Sequence, residues 1–156
     1  MEDWLKQVKE DWNKTSDSEW YKSLRTDEKI EELTNNPMSA FHPAVHELIR
    51  KYIPDLTDKR ILLPSSGDNH AAIAFALLGA KVTSADISER QLENASVIAG
   101  KLNLSIDFVC DNTMELSYIE SDAYDFVYTS NGTHSWIPDL DIMYHNISRV
   151  LKTNEY

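Results

Sequence analysis

From Arg60 onward, short apolar runs of strand length alternate with longer segments of helical period, and this alternation restricts the fold more than any other feature. Ile61-Leu62-Leu63 reads as a buried strand, and Pro64-Ser65-Ser66-Gly67-Asp68-Asn69 is turn chemistry. Ala71 to Leu78 is apolar all round and rich in alanine, which predicts a buried helix closed by Gly79. Lys81 to Asp86 reads as a second strand. Ser88-Glu89-Arg90-Gln91 is a capping box opening a helix with Leu92, Ala95, Ala99 and Leu102 at helical spacing. Ser105–Val109 and Tyr124–Thr129 read as third and fourth strands, and Pro138 opens a last helix carrying Leu140, Ile142, Met143, Ile147 and Val150. Strands joined through helices by short connections are parallel, with right-handed crossovers. The expectation is therefore an α/β fold with an open, doubly wound, mostly parallel sheet. Such sheets bind ligands outside the carboxyl ends of their strands, which directs attention to residues 64–70, 86–88, 110–112 and 129–136.

The first forty residues have a different character. Trp4, Leu5, Val8 and Trp12 fall on one face of a helix, and Trp20, Tyr21 and Leu24 continue an aromatic, highly charged segment. Thr34-Asn35-Asn36-Pro37 reads as a loop. Pro43 suits the first turn of a helix whose apolar positions are Ala44, Val45, Leu48, Ile49 and Tyr52. Residues 1–40 are expected to form an N-terminal helical lid and residues 41–156 a single compact ligand-binding domain. A lid of this kind excludes water, and its aromatic faces can receive a cation.

Composition narrows the partners. The chain has 156 residues, enough for one domain with a core of its own. Its formal charge of −11 repels phosphate backbones, so no nucleic-acid partner is expected. No apolar run approaches the roughly 18 residues needed to span a bilayer, and the start Met1-Glu2-Asp3-Trp4 lacks the basic flank of a signal peptide. A cytoplasmic protein without membrane attachment is expected. The single cysteine, Cys110, excludes an internal disulfide and reads as a buried, small apolar residue. His42 and His46 share a helix face without a third ligand, so no metal site is expected.

Three clusters carry possible chemistry. Small residues in the first turn, Ser65, Ser66 and Gly67, let backbone amides approach a ligand. Asp86 ends the second strand about 20 residues later, the spacing at which a carboxylate accepts from both hydroxyls of a ribose. Asp111 and Asn112 follow the third strand on the same rim, where a side-chain oxygen can accept from an exocyclic amine. Each cluster also has a plain structural reading, as a tight turn, a cap or a solvated loop.

Together these residues resemble the class I S-adenosylmethionine-dependent methyltransferases, from about Arg60 to Leu151. The anchors are Ile61 to Gly67, Gly79-Ala80-Lys81-Val82-Thr83-Ser84-Ala85-Asp86-Ile87-Ser88, Gln91-Leu92-Glu93-Asn94-Ala95, Tyr124-Asp125-Phe126-Val127-Tyr128 and the closing Ile147-Ser148-Arg149-Val150-Leu151-Lys152. The resemblance implies a Rossmann-like fold, S-adenosylmethionine as cofactor, and methyl transfer. It implies that Ser65, Ser66 and Gly67 hold the methionine part, Asp86 the ribose, and Asp111 and Asn112 the adenine, with Ile87 also a cofactor-binding residue. The loop Thr129 to Trp136 would face the methyl group, with Asn131 toward the cofactor and His134 and Trp136 toward the acceptor. A small-molecule acceptor is expected.

Two departures stand out. The family turn usually reads Asp/Glu-x-Gly-x-Gly-x-Gly; here Leu63 stands in place of the acid, Ser65 in place of the first glycine and Asn69 in place of the last. Family members also continue beyond Lys152 into a fifth strand and a hairpin. A truncated member is therefore expected, its sheet incomplete at the C-terminal edge. Its fourth strand would present Tyr124, Phe126, Val127 and Tyr128 as an exposed edge, open to cover by a second copy in a homo-oligomer. Two alternatives remain: a non-catalytic or truncated relative that binds S-adenosylmethionine without turnover, and an NAD-dependent oxidoreductase. Against the latter, His70 stands where the third glycine of a Gly-x-Gly-x-x-Gly turn belongs.

Overall fold

A computed structural model describes residues 2–68, 70–129 and 132–153. Three helices come first: α1 (Glu2–Thr15), α2 (Glu19–Ser23) and α3 (Asp27–Asn35), then a 3-10 turn over Pro37–Ala40 and α4 (Pro43–Tyr52). The alternating part follows as β1 (Arg60–Pro64), α5 (His70–Leu77), β2 (Lys81–Asp86), α6 (Glu89–Lys101), β3 (Ile106–Cys110), β4 (Phe126–Val127), α7 (Thr133–Trp136) and α8 (Leu140–Val150). The four strands are parallel in the order β3-β2-β1-β4. The chain winds outward from β1 to β3, then returns to the other side of β1. The point of reversal lies between β1 and β4, as the doubly wound reading requires.

Alternation along β1 divides the core into two layers. Ile61 and Leu63 face one side with Ile73, Phe75, Ile98 and Ala99, while Leu62 faces the other with Leu116, Ile119 and Val150. Helix α5 is surrounded by protein, with Ala71 through Phe75 all buried, which explains a segment apolar on every face. Gly79 ends it at φ +93, the left-handed conformation that a helix-closing glycine supplies.

Several local expectations are corrected. Helix α3 replaces the loop expected at Thr34 and Asn35; Thr26 caps it by accepting from the Lys29 amide, and Ile30 and Leu33 anchor it in the core. Pro37 opens the 3-10 turn beyond α3, where its missing N–H costs nothing. Helix α8 begins after Pro138, with Asp139 as its cap, because the Asp139 side chain accepts from the Ile142 amide. The fourth strand is shorter than expected. Tyr124 is buried rather than exposed: its hydroxyl donates to Thr83 at 3.0 Å and the Arg60 guanidinium lies over its ring. Phe126 and Tyr128 are half-buried and pack on the main core. Beside Tyr124, Leu151 forms a parallel bridge, and the Lys152 amide donates to the Tyr124 carbonyl at 2.9 Å. Cys110 is exposed, because it ends β3 at the outer margin of the sheet. None of the described helices is long and apolar enough to cross a membrane.

The anchoring of α3 makes residues 27–35 part of the main core. Leu33→Ala is expected to lower stability by about 2–5 kcal/mol, whereas Val97→Ala at an exposed position of α6 changes it by less than about 0.5 kcal/mol. Urea denaturation monitored by circular dichroism measures both.

Candidate active site

The turn after β1 is fixed by hydrogen bonds to the end of β2. The Ser66 amide donates to the Ala85 carbonyl at 3.0 Å, and the Ser66 and Ser84 hydroxyls are 2.7 Å apart. The Gly67 amide donates to Asp86 Oδ2 at 2.8 Å, and the Asp68 amide donates to Gln91 Oε1 at 3.1 Å. Ser65 and Gly67 both adopt positive φ, +50 and +57. Ser65 thus takes a conformation suited to the glycine it replaces, at the steric cost a side chain carries there. Its hydroxyl meets that of Thr113 at 2.6 Å and ties the loop after β3 to the same turn.

Asp86 lies at the tip of β2 and is 7% exposed. Its Oδ1 accepts from the Ser88 amide at 2.8 Å and its Oδ2 from Gly67. Burial pushes its carboxyl above the usual carboxylate range, against the lowering effect of the backbone amides around it. A carboxylate has about four acceptor sites, so these oxygens keep room for a further donor, which a ligand hydroxyl can supply.

These groups line a cavity of about 290 Å³ at the carboxyl ends of the strands. Its floor includes Ser65, Ser66, Gly67, Asp86, Ile87 and Asn112. Its roof comes from the N-terminal helices: Trp4, Leu5, Val8 and Trp12 of α1, with Trp20 and Tyr21 of α2. Trp136 closes one side, with its ring edge-on to Trp12 at a centroid distance of 5.1 Å. The cavity thus joins a polar floor to an aromatic roof, and the apolar face of α1 lies over it.

Not every sequence-predicted residue reaches the cavity. Asp111 is buried but turned into its own loop, accepting from the Asn112 amide at 2.7 Å and the Tyr118 amide at 2.9 Å, and it does not line the cavity. Asn112 does line it, while its side chain accepts from the Met114 amide and donates to Glu115. His134 is exposed and pairs with the Tyr144 hydroxyl at 2.7 Å, outside the cavity lining. Asn131 lies outside the described residues. The imidazoles of His42 and His46 are engaged by backbone groups, the first by the Ala44 amide and the second by the Met38 and Phe41 carbonyls.

Other site residues were not apparent from sequence. Gln91 reads as half of a capping box, and Ser88 does accept from the Gln91 amide. The Gln91 side chain, however, reaches the Asp68 amide instead of returning to its own helix start. Tyr128 and His70 also line the cavity. Burial pushes the Tyr21 phenol up, reinforced by Asp68 and Asp86, and pushes His70 down, which keeps its imidazole neutral at pH 7. Arg25 pairs with Asp68 beneath the roof, and nothing in the local pattern announces that pair.

A family model described as "Methyltransferase domain" matches residues 64–154. The chain belongs to the methyltransferase-domain family. Its fold is that of the class I S-adenosylmethionine-dependent methyltransferases. A protein from Methanococcus maripaludis assigned as an S-adenosyl-L-methionine-dependent methyltransferase aligns at 20% identity and a TM-score of 0.65, over 84% of this chain and 61% of its own. A protein from Pyrococcus horikoshii OT3 aligns at 22% identity and 0.66, over 86% and 61%. A protein from Listeria monocytogenes assigned as an S-adenosylmethionine-dependent methyltransferase shares 30% identity at 0.55, over 69% and 49%. The chain therefore spans between about half and three-fifths of the length of these structures. No curated protein matches it.

The buried state of Asp86 has a pH signature. Its proton is held more tightly in the folded than in the unfolded protein, so its contribution to stability falls as pH rises above the unfolded value of about 4. Asp86→Asn lacks this loss. Its stability relative to wild type is expected to rise between pH 4 and pH 7, as read by urea denaturation at each pH; a flat difference contradicts the assigned burial effect.

Proposed function

We propose that the chain binds S-adenosylmethionine in this cavity and places it for methyl transfer to a small-molecule acceptor. The observation that carries this reading is the Gly67–Asp86 hydrogen bond. It holds an open, small-residue turn and a buried carboxylate side by side at the point where the strand order reverses. That arrangement suits an adenosyl ligand: the Asp86 oxygens accept from ribose hydroxyls, Ile87 packs against the sugar, and Asn112 and Thr113 flank the base. Ser65, Ser66 and Gly67 bring backbone close to the remainder of the ligand.

When bound, S-adenosylmethionine supplies an electrophilic methyl group, so the protein's work is to position two reactants and exclude water. The roof residues serve both needs. Trp4, Trp12 and Trp136 offer flat apolar faces to an acceptor with an apolar body, and the Trp12–Trp136 contact seals the roof against the segment after β4. The formal charge of −11 supports a small acceptor over a nucleic acid.

Thermal unfolding with S-adenosylhomocysteine and NAD in parallel tests the reading. S-adenosylhomocysteine at a hundredfold its Kd is expected to add about 2.7 kcal/mol of stability, with NAD leaving the midpoint unchanged; the reverse pattern contradicts it. Gly67→Val places a β-branched residue at φ +57 beside the ligand. This variant is expected to bind S-adenosylhomocysteine about 5- to 30-fold more weakly by calorimetry, since backbone strain there disfavours the binding-competent turn by about 1–2 kcal/mol.

A further inference from the structure

All four tryptophans of the chain line one cavity. Trp4 and Trp12 come from one face of α1, Trp20 from α2 and Trp136 from the end of α7. These rings are not spent on the core: Trp4, Trp20 and Trp136 are 37%, 63% and 50% exposed. Large rings left open around a hollow retain apolar area that an occupant can cover.

The charges of the lining lie on its floor, and both are engaged. Asp68 pairs with Arg25, and Asp86 accepts from the Gly67 and Ser88 amides. Among the described residues, α1, α2 and the segment after β4 contribute no charged side chain to the lining. An anionic acceptor, such as a carboxylate or a thiolate, meets no cation against these walls and is desolvated without compensation. The described lining also lacks a base for the acceptor. Burial pushes the Tyr21 and Tyr128 phenols up, so both stay protonated at neutral pH. The His70 Nε2 is itself buried, and His134 pairs with Tyr144 outside the cavity. An alcohol, phenol or thiol acceptor has a proton to lose and finds no group here to take it. A nitrogen with a free lone pair needs no such group.

We propose that the acceptor is a flat, uncharged N-heteroaromatic compound, methylated on a ring nitrogen and held against the tryptophan faces. This assignment rests on the reading of the cavity as an S-adenosylmethionine site. The nitrogen lone pair forms the new N–C bond as the S–C bond breaks. The electron pair of the broken bond stays on sulfur, the positive charge passes to the ring, and no proton is released. An indole face attracts a cation through its quadrupole, so these walls hold the charge developing on the acceptor more strongly than they hold the neutral ring.

Calorimetric titration of the protein saturated with S-adenosylhomocysteine tests the proposal, with three two-ring probes of similar shape: quinoline, N-methylquinolinium and 2-naphthoate. Quinoline and N-methylquinolinium are expected to bind, the cation more tightly, and 2-naphthoate at least about tenfold more weakly than quinoline. Trp12→Leu keeps an apolar wall and removes the aromatic face. It is expected to weaken N-methylquinolinium by about 2–30-fold more than quinoline. Trp136→Leu, at a half-exposed position, carries the same expectation and guards against a folding defect in the first variant. With S-adenosylmethionine present, quinoline is expected to yield N-methylquinolinium by mass spectrometry without acidifying a weakly buffered solution. Binding without methylation overturns the ring nitrogen as the acceptor atom. Three results overturn the acceptor class while leaving the cofactor site intact: 2-naphthoate binding as tightly as quinoline, equal losses for quinoline and its cation in both variants, or S-adenosylhomocysteine binding with none of the three probes. Failure to bind S-adenosylhomocysteine overturns the cofactor reading itself.

Discussion

The hydrogen bond from the Gly67 amide to the Asp86 carboxylate fixes the relative placement of the two segments on which the site depends. One segment is the turn that ends β1; the other is the tip of β2. The bond is charge-assisted and sheltered, two conditions that strengthen it relative to an exposed neutral bond. It also uses one acceptor site on the carboxylate without exhausting it. The same carboxylate therefore organises the turn and still presents a charge to the cavity. The Ser88 amide on the other oxygen holds the carboxylate plane in place.

The N-terminal helices are attached by contacts of unequal strength. Lys101–Asp27 and Arg90–Asp17 join them to α6, but all four side chains are at least 46% exposed, so such pairs contribute little. Apolar burial does more: Ile30 and Leu33 enter the main core, and Phe41 packs on Phe75 and Tyr128 at centroid distances of 4.9 and 5.6 Å. Helix α1 lies farther from that anchorage and spends its apolar face on the cavity roof. Helix α1 is tied to the start of α6 by polar contacts instead: Asn13 Oδ1 accepts from the Ser88 hydroxyl at 2.6 Å and from the Arg90 amide at 3.2 Å, and Lys9 pairs with Glu89.

Much of the architecture was legible in the sequence because its cause is local. The alternation of Ile61-Leu62-Leu63, the alanine-rich helix, Gly79 and the segment Lys81–Asp86 gives strand and helix from period and punctuation alone. Helix α3 was not legible, since two apolar residues among charged neighbours make a weak signal until Thr26 is seen accepting from the Lys29 amide. Cys110 shows a related effect: small and apolar, it suits burial, yet it sits exposed at the end of an outer strand. The turn from Ser65 to Gly67 and Asp86 were recognisable by type and spacing. Arg25, Gln91 and Tyr128 were not, because their partners lie far away in sequence.

Local pattern is enough to settle the order and kind of most elements, and with them a parallel sheet whose carboxyl ends carry Ser65, Gly67 and Asp86. Periodicity and turn chemistry are properties of neighbouring residues, and they survive without knowledge of the fold. The direction of each side chain was set by packing. It turned Asp111 into its own loop, directed His134 to Tyr144, diverted Gln91 to the Asp68 amide and carried Arg25 across to Asp68. Those choices depend on which distant groups remain unsatisfied once the layers are packed, a quantity that no run of neighbouring residues contains.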